Sequence, residues 1–202
     1  LRTTRTKTAG IAFFIATTLI ATVPAGPAGA SGLSIEDQCD AAAASRHDGT
    51  RNPAFPPIED GQITLGVALS ACREAYNSGG GVRFAFQLAR ALEQGGQGLA
   101  AENLYREAAE GGHTVAMVRY GQLLQRKGDL AAAHALYRQS AEAGDRLGAY
   151  ALGMSYRDGI GTASDAGKAA VWLDAAAAGG YEIAALVADF PQAPDAPFNG
   201  AQ

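Results

Sequence analysis

The feature that most constrains this chain is a pattern recurring at intervals of 32 and 35 residues, in which Tyr105, Tyr137 and Trp172 occupy equivalent places. Four residues after each aromatic comes an alanine, Ala109, Ala141 and Ala176, and seven after comes a glycine, Gly112, Gly144 and Gly179. Past the first two glycines the frame continues with Tyr120-Gly121 and Leu152-Gly153, then Leu124 and Tyr156. A looser earlier copy carries Leu88, Ala89 and Leu92. Agreement at so many offsets marks a supersecondary unit that stacks on copies of itself.

Each period divides into two helical stretches. Apolar spacing and glycine breaks predict first helices over about 82–94, 114–127 and 146–158, and second helices over about 97–110, 129–143 and 164–178. The breaks fall at Gly95-Gly96, Gly111-Gly112, Gly128, Gly144 and Gly159-Ile160-Gly161, because glycine is the usual left-handed stop of a helix. Asp129 is a candidate cap for one helix, and Ser164 or Asp165 for another. No strand pattern occurs in this region. Alanine and glycine at the matched offsets allow close helix–helix approach, with Tyr105, Tyr137 and Trp172 expected to fill the wider gaps beside them. A hairpin of this kind cannot cover its own apolar face, so neighbours must stack. The fold class expected is all-α, an α/α superhelical solenoid with units over 82–112, 113–144 and 145–180. YEIAALVADF, 181–190, forms a capping helix, and the Pro-rich tail 191–202 is expected to be disordered.

Ahead of the repeats the chain reads differently. Arg2, Arg5 and Lys7 precede the apolar run Ile11–Val23, and Ala28-Gly29-Ala30 follows. This is the pattern of a secretory signal peptide over 1–30, cleaved before Ser31; the run is well short of the roughly 20 residues a spanning helix needs. Residues 31–80 then form a helical segment. Ser34, with Asp37 three residues on, predicts a capping box and a short helix. RHDGTRNPAFPPIEDG, with its prolines and glycines, is a loop. A second helix, from about Gln62 through Cys72 to Tyr76, ends at the triple glycine Gly79–Gly81. In an exported protein the only two cysteines, Cys39 and Cys72, are expected to pair. Two buried thiols are the alternative. Closing that loop is worth roughly 3–4 kcal/mol.

Little in the sequence asks for chemistry. Gly161, Gly167 and Lys168 suggest a phosphate loop, but the glycines are one residue too far apart and Ala169 stands where a hydroxyl is required. His47, His113 and His134 have no partner at ligand or triad spacing, and read as solvated or turn histidines. Glu107 and Glu110 share a helix face and read as solvated. There is no Gly-x-Ser-x-Gly and no Ser-x-x-Lys. No cofactor or metal is implied. The net charge of −4 argues against nucleic acid and anionic membranes as partners.

Ala149–Gly180, with LG at 152–153, Tyr156, DGIG at 158–161, Lys168-Ala169, Trp172 and AAAAGG, closely resembles a Sel-1-like repeat. The units around Tyr105 and Tyr137 resemble it less closely and drift toward the tetratricopeptide repeat. The resemblance implies a non-catalytic scaffold or adaptor that binds a protein or peptide. Some cysteine-rich relatives are described as β-lactamases, with a cysteine pair in each repeat; this chain lacks those pairs. The competing function is a small cell-envelope hydrolase directed at β-lactams or peptidoglycan.

In helical-hairpin solenoids the first helices line the concave side. Register then places Arg83, Phe86 and Arg90 there from the first unit. The second unit supplies Val118, Gln122, Gln125 and Arg126, and the third Tyr150, Met154 and Arg157. Arginines bind carboxylates in bidentate fashion, and aromatics with methionine give adaptable apolar contacts. The expectation is a periplasmic or secreted adaptor with a groove for an extended, acidic peptide or chain end. The simpler alternative is ordinary helix-surface arginines.

Overall fold

The structure is a computed structural model, and it describes residues 32–188. The expected signal peptide and the Pro-rich tail lie outside the described residues. Nine helices occur among them: α1 (Ile35–Ala43), α2 (Leu65–Asn77), α3 (Val82–Gln94), α4 (Gly98–Glu110), α5 (Thr114–Arg126), α6 (Leu130–Glu142), α7 (Arg146–Asp158), α8 (Ala166–Ala178) and α9 (Glu182–Ala188). Consecutive helices pack on one another along the whole series, and α1 also reaches α3 and α5 reaches α7. That is the connectivity of a solenoid built from α-hairpins. No described helix is long and apolar enough to cross a membrane.

Local chemistry sets the helix ends. Ser34, Asp129, Asp145 and Asp165 each accept a hydrogen bond from the backbone N–H three residues on, at 2.8–3.2 Å. Asp165 rather than Ser164 caps α8. Only half of the expected capping box forms at α1: the Asp37 carboxylate accepts from Asn52 Nδ2 at 2.8 Å instead of reaching back, and so ties α1 to the loop. At the tight turns the residue after the helix stop takes a left-handed conformation, as at Gly112 with φ 93°. There the His113 N–H returns to the Ala108 carbonyl at 2.9 Å.

The small residues do permit close approach, in a different arrangement from the one expected. A Cβ on Gly121 of α5 would lie 2.5 Å from Cε1 of Tyr137. The α6 aromatic therefore lies on the glycine of α5 rather than filling a gap beside it. In the next hairpin Gly153 is covered by Leu173, whose Cγ would be 2.8 Å from an added Cβ, while Trp172 stays half-buried. Tyr105 and Tyr137 are almost wholly buried, each ring worth about 1.5–3 kcal/mol of burial. Their hydroxyls keep partners: Tyr105 donates to Glu93 Oε2 at 2.7 Å and Tyr137 to Gln125 Oε1 at 2.9 Å.

Cys39 and Cys72 form a disulfide, with their Cα atoms 4.7 Å apart. It joins α1 to α2 and leaves no free cysteine among the described residues. From Ala44 the chain does not return directly to α2. It runs as an irregular segment, 44–64, against the inner sides of α3 and α5 and as far as α7.

Candidate functional site: a concave face partly filled by the chain itself

The inner side is the one on which first helices of neighbouring hairpins meet, α1 with α3 and α5 with α7, and exposure along it differs from unit to unit. In α3 every residue from Phe84 to Leu92 is buried, so no side of that helix is left open. In α5 and α7 the buried positions are interrupted by half-exposed ones, including Met117, Gln122, Tyr150 and Met154. The difference comes from α1 and the 44–64 segment, which cover the inner side of α3.

The cover is specific and polar. Arg90 was expected to meet a partner; its side chain is only 2% exposed. It donates to the carbonyls of Ala43 and Ile58, the latter at 2.8 Å, and pairs with Asp60 at 2.8 Å. Arg119 on α5 holds the other carboxylate oxygen of Asp60. Burial works to raise the Asp60 pKa, but the hydrogen bond from Arg90 and the charge of Arg119 outweigh it and hold the carboxyl below its ordinary value. Gln94 bonds the same stretch through its side-chain amide. Its oxygen accepts from the N–H groups of Gly61 and Ile63 at 3.1 and 3.2 Å, and its nitrogen donates to the Ile63 carbonyl at 2.9 Å.

Arg83 and Phe86 are likewise committed internally. Arg83 pairs with the wholly buried Asp40 at 3.4 Å, donates to the Thr50 carbonyl at 3.0 Å, and stacks its guanidinium on Phe84, 4.3 Å from the ring centre. Phe86 is 0% exposed, stacked on His113 at 4.4 Å and tilted against Tyr105 at 6.0 Å. All three first-unit residues expected in the groove are thus taken by the protein itself. The physical reason is that α1 and the loop carry the acids and carbonyls that Arg83 and Arg90 recognise, while Phe86 is covered by the rings of Tyr105 and His113.

Beyond the first unit the expected residues diverge. Gln122, Gln125, Tyr150 and Met154 come together with Val118, Tyr137, Leu147 and Tyr181 around a cavity of about 260 Å3. Burial pushes the Tyr137 phenol up to about 12, so it remains a neutral donor. Arg126 is exposed at the end of α5 and outside that lining. Arg157 pairs with its neighbour Asp158, Nε to Oδ1 at 2.7 Å; Asp158 belongs to the cavity lining and Arg157 does not. A second cavity, of about 470 Å3, lies between the loop and the third unit, lined by Arg46, His47, Glu59, Arg146, Tyr181 and Glu182 among others. Its arginines, and Arg119, carry no repeat signature and were missed from sequence. The acids of the 44–64 loop, Asp48 and Asp60, were the available clue that it pairs with cations elsewhere.

Two histidines have oxygen partners that resemble catalytic pairs. Both are buried; His113 stands at the turn before α5 as the sequence suggested, whereas His134 is not solvated. Nδ1 of His113 accepts the Ala116 N–H at 3.2 Å, capping α5, so its proton sits on Nε2, 3.4 Å from Oδ1 of Asp48. That leaves no free lone pair to act as a base. Burial works to raise the Asp48 pKa; the His113 ring and two Thr50 hydrogen bonds prevail and lower it. His134 Nδ1 lies 2.8 Å from Ser155 Oγ, which itself donates to the Ile160 carbonyl at 2.6 Å. With its proton committed, that buried serine accepts from the imidazole and has nothing to give up as a nucleophile. Glu107 and Glu110 lie exposed on α4, and Glu107 accepts from the Tyr76 hydroxyl at 2.8 Å. No group of three or more His, Cys, Asp or Glu suited to a metal occurs among the described residues.

These features define the class: a right-sized α-hairpin solenoid whose inner face is part filled and part open. Among solved structures, the chain is similar to a Sel1 repeat protein from Oxalobacter formigenes, at 31% identity and a TM-score of 0.51. The match covers 59% of this chain and 96% of that one. It is also similar in fold to a protective antigen of uropathogenic Escherichia coli that displays an SLR fold, at 24% identity and a TM-score of 0.55. That match covers 69% of this chain and 29% of the larger antigen. The chain belongs to the Sel1-like repeat family. A scan against protein-family models finds no match, and neither does a search of curated proteins.

Proposed function

We propose that this protein is an exported, non-catalytic adaptor that binds a protein or peptide partner on the open stretch of its inner face, between α5 and α7. The observation that carries the reading is the cavity of about 260 Å3 among Val118, Gln122, Tyr150 and Met154, open where the equivalent surface of the first unit is filled. Methionine and tyrosine side chains with amides at the rim suit an extended segment: apolar side chains enter the cavity and the amides bond its backbone. The first unit supplies a precedent within the same molecule, since the Gln94 amide holds the backbone of Gly61 and Ile63 in this way. Acidic character in the partner is favoured only by Arg146, which lines the adjoining cavity, since the cavity itself carries Asp158. Export is favoured by the basic-then-apolar N-terminal sequence and by the disulfide, a bond that persists in oxidising compartments.

A display library of random dodecapeptides, selected on the immobilised protein, tests the reading. Peptides should be recovered that lose at least about tenfold in affinity when Met154→Asp is introduced, because it replaces an apolar contact by a second carboxylate beside Asp158, a change worth upwards of about 1.4 kcal/mol. Recovery of no peptide, or of peptides indifferent to Met154→Asp and to Tyr150→Ala, overturns it.

A further inference from the structure

We infer that the two cavities flanking Tyr181 form one bipartite site for the carboxyl-terminal end of a partner polypeptide, the terminal carboxylate at Arg46, His47 and Arg146 and the last apolar side chain among Val118, Tyr150 and Met154. The inference rests on the adaptor reading and names the part of the partner that is recognised.

Tyr181 belongs to the lining of both cavities. Its ring lies 4.9 Å from that of Tyr150 on the apolar side and 5.6 Å from that of His47 on the polar side. Tyr181 therefore stands where the two cavities adjoin: one holds the charged groups of Arg46, Glu59, Arg146 and Glu182, the other the side chains of Val118, Leu147, Tyr150 and Met154 with Gln122, Gln125 and Asp158 at the same lining. A carboxylate and an apolar side chain borne on the same Cα straddle such a junction.

The polar compartment has the donors a carboxylate needs. Arg146 donates to two carbonyls only, Gly179 at 3.4 Å and Arg46 at 3.2 Å, and forms no ion pair among the described residues. A guanidinium with five donors is left largely unsatisfied by two long bonds to neutral oxygens. Arg46 pairs with Glu59, but both are well exposed, 57% and 41%, and an exposed pair is worth little enough for a ligand to compete. His47 has a buried Nδ1 with no partner. Burial first, and then the charges of Arg146, Arg119 and Arg46, keep its imidazole below its ordinary pKa. Two arginines and two acids line this compartment, and of the two arginines only Arg146 lacks a carboxylate partner among the described residues. The acids Glu59 and Glu182 also line this compartment, and they favour a single carboxylate over a polyanion.

The test is fluorescence anisotropy with N-terminally labelled peptides GSGSAF, its carboxamide, and GSGSAA, titrated with the purified protein. The free acid of GSGSAF should bind at least about tenfold more tightly than the amide, as expected for charge-assisted hydrogen bonds. It should also bind about tenfold more tightly than GSGSAA. Arg146→Gln should erase the acid–amide difference while keeping the preference for Phe over Ala; Met154→Asp should do the reverse. Arg46→Gln, at an exposed position, should shrink the acid–amide difference without any risk to the fold. Equal binding of acid and amide, or no binding of the acid at 1 mM protein, overturns the inference. If internal dodecapeptides that depend on Met154 are selected nonetheless, the adaptor reading stands and only the chain-end assignment falls.

Discussion

Replacing Gly148 by alanine tests the packing argument directly. Gly148 lies in the first turn of α7, where a Cβ would run into Ser140 Oγ, 2.6 Å from Ser140 Cβ and 2.7 Å from the backbone nitrogen of Ala141. The side chain of Ser140 can swing aside, but it is fully buried and donates to the Thr114 carbonyl at 3.0 Å. Breaking that bond costs about 1 kcal/mol. The α6 backbone cannot yield without shifting the helix, and overpacking of this kind costs about 2 kcal/mol. Alanine returns up to about 1 kcal/mol through backbone entropy. The net expectation is a loss of about 2 kcal/mol, or about 4–8 °C in Tm for a chain of this length. Gly66 is the matched control: it too lies in a first helical turn, that of α2, with nothing within 4 Å of an added Cβ. Gly66→Ala should leave stability unchanged or raise it by up to about 1 kcal/mol. Both are read as midpoints of urea unfolding followed by helical circular dichroism. A Gly148→Ala protein as stable as the Gly66→Ala protein would refute the claim that close helix approach holds the hairpins together.

Arg90→Ala should destabilise the protein by about 3–5 kcal/mol, because it strands buried carbonyls and unpairs Asp60, and amide exchange should speed up across residues 43–63. The exposed Arg126→Ala should change stability by less than about 0.5 kcal/mol. Cys72→Ser should lower stability by roughly 3–4 kcal/mol and open the 44–64 loop to proteolysis at neutral pH. Acid should also destabilise the fold. His47 and His134 have lowered pKa values, through burial first and then nearby arginines, so below pH 6.5 the unfolded chain binds more protons than the folded one. Their contribution is complete above that pH and is lost as pH falls through the folded values. The unfolding midpoint should drop between pH 7.5 and 5.5, and drop less in His134→Gln; a pH-independent midpoint would contradict the assignment.

The candidate site was legible in part. Gln122, Gln125, Tyr150 and Met154 line one cavity, and their shared face follows from helical periodicity, which a local sequence carries in full. Phe86 and Arg90 obey the same periodicity and are nonetheless buried. The exposure of Arg90 depended on where a loop more than twenty residues upstream would lie, and that of Phe86 on how α4 and α5 pack over it; no local pattern encodes either. The burial of His113, read as a turn residue, and of His134, read as solvated, escaped for a related reason: a histidine's burial is decided by the elements packed on it, here Phe86 for one and Tyr156 for the other.

From its sequence alone, this chain was bound to form paired helices with glycine stops and to stack them in order, because spacing, capping and turn chemistry act over a few residues and repeat along the chain. Which part of the inner face would be free was settled only in three dimensions. The disulfide between α1 and α2 and the capture of Asp60 by Arg90 and Arg119 draw the 44–64 loop across the first unit and leave the second and third open. Contacts between residues 30 to 59 positions apart made that choice, and their partners are selected by charge and shape once the helices are already in place.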